Sequence, residues 1–436
     1  MIAPARLAAL DALRQIDADR LDMGEAVARV RKPLSDERDR ALLLEIVSGT
    51  LRMRAALDHQ LALRLTRPIG RLDAMVLDIL RMSAFQLIYL TRTPSSAVIN
   101  DAVDLTRRGG TSSATGLVNA VLRSLNRDRQ KLRWPARPAE VAGAAAMAGY
   151  FSVVHSHPEW LVARWLARYG AADTERWLNF NNRGPALCLV PNRTLASREA
   201  LEEELKSDGV DTQRTTRASH GLHVTDGQVL GTRAFREGRC LVQDEASQLI
   251  SELVGAQRAD RILDLCASPG GKTVAMAADL GPSGLIVATD VRRHRLRVLT
   301  DTLGRCRITG AHVVQVPATG DLPFAERSFD RILIDAPCSG LGTVRRDPDI
   351  RWRVAEADLP ALAATQLALL QRTASLVRPG GTLVYSTCSS EPDENQQVVA
   401  AFLAGSADFA LAREHQTLPF RDALEAFFGA VLVRRA

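Results

Sequence analysis

The chain of 436 residues is predicted to be a multidomain protein: a helical bundle, then a small α/β piece, then a doubly wound α/β domain built on a parallel sheet. Three observations predict this. Apolar residues recur three and four apart through about the first 130 positions. Beyond Gln243, short apolar runs alternate with helical stretches, the order that builds a parallel sheet with its ligand above the strand C-termini. The first of those runs ends in a glycine-rich turn.

In the helical part the spacing is carried by Leu7-Leu10-Leu13, by Leu42, Leu43, Ile46, Val47 and Leu51, by Val76, Ile79 and Leu80, and by Val98, Ile99 and Val103. Breaks fall at Pro33, Pro68, Pro94 and the Gly109-Gly110 pair, which reads as a helix C-terminus. Residues 1–135 therefore form the expected bundle. Ala, Gly and Pro then mark a partly helical linker over 136–155. Helical spacing resumes after Pro158 through Trp160, Leu161, Trp165 and Leu166 and gives way to short strand-like runs, so 156–243 is expected to be a small α/β domain.

The C-terminal domain, 244–436, has strand candidates at Ile262–Leu265, Leu285–Thr289, His312–Val316, Arg331–Ile334 and Thr382–Ser386. After the first comes Asp264-Leu265-Cys266-Ala267-Ser268-Pro269-Gly270-Gly271-Lys272-Thr273. Its end fits a phosphate-binding P-loop, but Cys266 stands where that motif requires its first glycine, and no G-x-G-x-x-G dinucleotide fingerprint is present. What remains is a turn whose adjacent glycines let backbone approach a ligand, with Asp290 at the next strand end, where a carboxylate suits the hydroxyls of a ribose.

Two cysteines stand at further strand ends, in Asp335-Ala336-Pro337-Cys338-Ser339 and Ser386-Thr387-Cys388-Ser389. A thiolate is a strong nucleophile near neutral pH, so the pair points to covalent catalysis. Most cysteines only pack, and that reading suffices for Cys188, Cys240 and Cys306. No C-x-x-C spacing occurs, so no metal is expected. No membrane-spanning apolar run and no secretory leader are evident, which leads us to expect reduced thiols in the cytoplasm.

The net charge of +6 fits a polyanionic partner without requiring one. Residues 1–135 hold 22 basic against 15 acidic side chains, a balance of +7, so the excess lies in the helical part. It is densest at Arg123, Arg127, Arg129, Lys131 and Arg133, which read either as an RNA-binding patch or as a solvated helix end.

Taken together, the 264–273 turn, Asp335 to Trp352 (DAPCSGLGTVRRDPDIRW) and Tyr385-Ser386-Thr387-Cys388-Ser389 resemble the RNA cytosine-5 methyltransferases of the RsmB/NOP family. The helical part, with Arg52, Asn100-Asp101-Ala102-Val103 and Val118-Asn119-Ala120-Val121-Leu122-Arg123, is similar to the NusB-like domain of its bacterial 16S ribosomal RNA branch. Val242-Gln243-Asp244-Glu245-Ala246-Ser247 and Phe427-Phe428-Gly429-Ala430-Val431 extend the resemblance nearly end to end.

The resemblance implies a class I (Rossmann-like) catalytic domain that uses S-adenosyl-L-methionine, held by Cys266, Ala267, Ser268, Pro269, Gly270, Gly271, Lys272, Asp290 and Asp335. It implies Cys388 as the nucleophile on cytosine C6, Cys338 in release of the methylated base, Asp335 at the base edge, and Lys272 beside thiolate or base. Expected partners are 16S ribosomal RNA and no membrane, and a monomer is expected. The alternatives are a transfer RNA or DNA substrate, or a non-catalytic RNA-binding assembly factor. One departure stands out: where the family places an acid near the adenine, this chain has Pro317, with Asp321 four residues on.

Overall fold

A computed structural model describes every residue except Met1, Arg20, Glu140, Val141, Ala142 and Pro282. The chain forms two compact units, one of residues 1–184 and 344–356, the other of 185–343 and 357–436.

The first unit is helical. Its N-terminal helices are Pro4–Asp19, Met23–Arg31, Glu37–Arg52, Arg54–Ala62, Ala74–Tyr89, Ser95–Arg108 and Thr115–Asp128, and they share one apolar core. Asp22, Asp36 and Asp73 cap three of them, each carboxylate accepting from first-turn amides that would otherwise lack partners. Ala74–Tyr89 is buried on most sides, and its Arg81 is made tolerable inside by a bidentate pair with Asp58 at 2.7 Å. The expected linker carries the helix Gly143–Val154, which packs on Glu159–Asn182; its residues 140–142 lie outside the described ones.

Residues 344–356 complete this unit. Arg351 is fully buried and donates to the carbonyls of Ser156 (3.0 Å) and Val344 (3.2 Å) and to Asn182 Oδ1 (3.1 Å). Burial, and secondarily Arg52, lower its pKa to about 9. Trp352 Nε1 donates to Leu51 O at 2.6 Å.

The second unit holds two sheets. Strands β1 (Cys188–Pro191), β2 (Asp211–Arg214), β3 (Leu222–Asp226) and β4 (Cys240–Val242) form an antiparallel sheet in the order β2-β3-β1-β4. Strands β5 (Arg261–Leu265), β6 (Leu285–Asp290), β7 (Ala311–Gln315), β8 (Phe329–Asp335), β9 (Val377–Thr387), β10 (Phe409–Gln416) and β11 (Phe428–Arg434) form the other, in the order β10-β11-β9-β8-β5-β6-β7. The five strands β5 to β9 are parallel, as expected. The hairpin β10–β11 was not anticipated, and its β11 runs antiparallel to β9. Helices Glu245–Val254, Gly271–Leu280 and Leu359–Ala374 help cover the sheet faces with apolar side chains. The order reverses between β5 and β8, so a crevice opens above their C-terminal ends.

The two sheets are joined through Asn192. Fully buried after β1, it donates from Nδ2 to Gly238 O (3.0 Å) and Cys306 O (2.8 Å) and accepts at Oδ1 from Thr194. Asn192→Ala would leave two buried carbonyls unpaired, at about 1–3 kcal/mol for each orphaned group. We expect a loss of about 3 kcal/mol in denaturant unfolding, within that range, and an unchanged midpoint would refute this joint.

Candidate active site

The site follows from which strands end side by side. The backbone leaves β5 through Cys266 at φ 65°, then turns at Gly270 (φ 107°) into the helix Gly271–Leu280. A Cβ at Gly270 would lie 2.9 Å from Leu299 Cδ1, in a conformation that costs other residues strain, so glycine is required here. Burial pushes the Cys266 thiol up to about 12, which keeps it protonated and leaves it a structural part of the turn.

Asp264, next to last in β5, and Asp290, last in β6, are both buried. Thr273 Oγ1 donates to Asp264 Oδ2 at 2.6 Å, and Arg292 N donates to Asp290 Oδ1 at 3.0 Å. Their other oxygens have no hydrogen-bond partner among the described residues. Two buried acceptors beside a glycine cradle fit a ligand bearing hydroxyl and ammonium donors, as S-adenosylmethionine does. Gln243, 3.4 Å from where a Gly271 Cβ would be, adds a third such acceptor in Oε1.

The turn after β7 is built without the family's acid. Pro317 and Asp321 are both exposed, and Arg372 holds the carbonyls of Pro317 (3.1 Å), Ala318 (3.1 Å) and Gly320 (2.6 Å).

On the other side of the crevice, Lys272 Nζ lies 2.6 Å from Asp335 Oδ2, and Ser386 Oγ donates to Asp335 Oδ1 at 2.9 Å. Lys272 is thus a largely buried ion-pair partner, with 13% of its side chain exposed. Burial works against its charge, but the carboxylates of Asp335 and Asp264 hold its pKa above the ordinary value. Asp335 pairs with Ser386 in the parallel register of β8 and β9, which brings the segments that follow to one place. There Cys338 Sγ and Cys388 Sγ are 3.3 Å apart. The hydrogen bond to Cys388, then burial, then the charges of Cys388 and Glu394 push the Cys338 thiol well up. Gly342 N donates to Cys388 O at 2.9 Å, and a Cβ on Gly342 would sit 1.9 Å from Ala426 O.

The structure thus brings together Lys272, Asp335, Cys338 and Cys388, with Asp264 and Asp290 beside the glycine turn. Cys188, Cys240 and Cys306 are buried elsewhere. Sequence reasoning missed Glu394, a buried carboxylate between the cysteine loops, together with Gln366 and Tyr385. Its signal was an acid within six residues of a candidate nucleophile, in Ser389-Ser390-Glu391-Pro392-Asp393-Glu394.

Burial pushes the Asp264 carboxyl up from 3.8 to about 7, against the Thr273 hydrogen bond and with Asp335 adding to it. Because the folded value is the higher one, the stability from this group is complete below pH 3.8 and is lost as pH rises through about 7. Asp264→Asn removes that loss. The ligand-free variant should match wild type near pH 4 and exceed it at pH 8, by at most about 4 kcal/mol at 1.36 kcal/mol per unit. Calorimetric unfolding at both pH values checks this, and equal gains at both would contradict it.

Comparison with known proteins agrees with this architecture. Residues 252–430 match the 16S rRNA methyltransferase RsmB/F family, residues 3–127 the NusB family, and residues 157–229 the ferredoxin-like domain of RsmF/B-like methyltransferases. The probable ribosomal RNA small subunit methyltransferase B of Bacillus subtilis (strain 168) is 34% identical over 378 residues, 86% of this chain and 82% of that protein. Ribosomal RNA small subunit methyltransferase B of Proteus mirabilis (strain HI4320) is 31% identical, over 99% of this chain and 98% of that protein. Among solved structures, PH0851 has a TM-score of 0.83 at 24% identity over 99% of both chains. NSun6 from Pyrococcus horikoshii has 0.58 at 20% identity, over 65% of this chain and 100% of that one, and at these identities both show the fold alone. With relatives so similar over nearly the full length, the chain belongs to the 16S rRNA methyltransferase RsmB/F family of S-adenosylmethionine-dependent methyltransferases.

Proposed function

We propose that the protein methylates carbon 5 of a cytosine in 16S ribosomal RNA, with Cys388 as nucleophile and Cys338 as the group that assists release. The observation that carries this reading is the 3.3 Å approach of the two sulfurs beside the Lys272–Asp335 pair. Carbon 5 of cytosine is too weak a nucleophile to take a methyl group unaided. Addition of the Cys388 thiolate to carbon 6 forms an S–C6 bond and moves the C5–C6 π pair toward carbon 5, making it nucleophilic. Asp335 hydrogen-bonds the base edge and supports protonation at N3. S-adenosylmethionine, when bound at Cys266 to Lys272, Asp264, Asp290 and Asp335, supplies an electrophilic methyl group. Carbon 5 would take that methyl group as the S–CH3 bond breaks and its pair stays on the departing thioether; a base then takes the carbon 5 proton, the C5–H pair re-forms C5=C6, and the S–C6 pair returns to Cys388, with Cys338 assisting that release.

The division into 1–135, 136–155, 156–243 and 244–436 is part of this proposal and takes support from the matched segments 3–127, 157–229 and 252–430, while the compact units of the structure cut instead after 184, 343 and 356. A monomer in the cytoplasm suits this function; among the described residues no helix is long and apolar enough to cross a membrane. The helical unit positions the RNA. Arg123, Arg127 and Arg129 are exposed, and Arg123 and Arg127 line a cavity of about 240 Å³ with Ser95, Asn100 and Asn126.

Cys388→Ala should be inactive and form no protein–RNA adduct, whereas Cys338→Ala should trap one that survives denaturing electrophoresis. Methylation by Cys388→Ala would show that the nucleophile lies elsewhere. Removing the helical unit is a poor test of RNA positioning, because Leu51 and Ser156 hold residues 344–356. Reversing the charges at Arg123, Arg127 and Arg129 should instead weaken RNA binding and flatten its dependence on salt, by up to about one unit of log–log slope per lost phosphate contact. An unaltered slope would reduce the cluster to a solvated helix end.

A further inference from the structure

We propose that Glu394 is a positioning residue of the reaction, a buried carboxylate that fixes the distance between the two thiols by tying their loops together; this rests on the roles just given to Cys338 and Cys388.

Glu394 lies just before the helix Gln396–Ala404 and is fully buried. Its donors come from three directions. Oε1 accepts from Ser339 N at 2.8 Å and from Gln366 Nε2 at 3.0 Å. Oε2 accepts from Ser339 Oγ at 2.5 Å and from Ser389 Oγ. Ser339 follows Cys338 and Ser389 follows Cys388, so one carboxylate is bonded to the neighbour of each thiol. The two serine hydroxyls are themselves 3.2 Å apart. Gln366 carries the network to the Pro337 carbonyl (3.0 Å), and Tyr385 OH donates to the Glu394 carbonyl at 2.5 Å.

A carboxylate costs free energy to bury, and here it is compensated by neutral donors. Those donors sit on the loops that carry the chemistry, so the compensation itself dictates loop geometry. The alternative, a carboxylate that merely stabilises the fold, would leave the thiols where they are when it is removed. The nearby negative charge also helps push the Cys338 thiol up. An amide can replace the carboxylate in part: its oxygen can keep Ser339 N and Gln366 while its NH2 donates to the serine hydroxyls, which can turn to accept. Alanine can do neither.

The test uses the full chain with ribosomal RNA and S-adenosylmethionine. Glu394→Ala should lower kcat on the order of 10²-fold, the effect of displacing a catalytic group by about 1 Å, with KM for S-adenosylmethionine unchanged. It should also accumulate the denaturation-resistant adduct, as Cys338→Ala does, and Glu394→Gln should recover most of the rate. Without RNA or cofactor, iodoacetamide should alkylate Cys338 at least tenfold faster in Glu394→Ala than in wild type, read by mass spectrometry; this fold is an order-of-magnitude expectation for a thiol freed from its partner. If Glu394→Ala does not fold, Ser389→Ala, which removes one donor to Glu394 and the hydroxyl that accepts from Glu391 N, should show the same adduct and alkylation changes to a smaller degree. Wild-type turnover and wild-type alkylation in these variants would overturn the proposal, as would a lowered Tm with normal kcat in the folded fraction. Turnover by Cys388→Ala would overturn the reading of the thiols instead, while the alkylation rates would still judge the clamp.

Discussion

The structure depends on the parallel register of β8 and β9, in which Asp335 stands opposite Ser386. Each strand then runs out into a loop with a cysteine near its start, so backbone pairing deep in the sheet decides where two sulfurs meet. A shift of one residue would turn every side chain of the slipped strand to the other face of the sheet and break the pairing that brings the two loops together. The fully buried apolar side chains of β8 and β9, Ile332, Leu333, Leu383 and Val384, oppose such a slip. Gly342, wedged between the carbonyls of Cys388 and Ala426, admits no larger residue.

Charge in the crevice is uneven. Asp264, Asp290, Asp335 and Glu394 all lie about the strand ends, and Lys272 faces Asp335 alone at hydrogen-bond distance. A site with more carboxylates than cations favours a positively charged ligand, and S-adenosylmethionine carries a sulfonium and an ammonium. Asp335 and Asp264 hold the Lys272 ammonium charged where burial works against its charge. In this setting neutral donors, serine hydroxyls and amides, take the part that cations play in ordinary buried pairs.

Much of this was legible in the residues. Cys338, Cys388, Asp335, Lys272 and the Gly270-Gly271 turn sit at strand ends that the apolar runs located, because helices separate most of the five parallel strands. The hairpin β10–β11 escaped because Phe409–Gln416 is largely exposed and polar on an edge, where apolar patterning is weak. Glu394 escaped for a different reason: an acid after a cysteine reads as solvated, and only the fold shows donors converging on it. Nor could the sequence reveal that Arg372, more than fifty positions away, fastens the turn at Pro317.

The thirteen residues from Val344 to Glu356 also change what it means to call the helical part a domain. They leave the catalytic unit directly after Thr343, complete the interior of the helical one with a buried guanidinium and an indole, and return at Ala357. The N-terminal part is therefore not a cassette that recombination could detach and append elsewhere, since a piece of its interior is encoded within the catalytic reading frame. A substitution at Asn182, whose side chain accepts from Arg351, must be accommodated by a residue 169 positions downstream, which ties the drift of the helical unit to that of the enzyme.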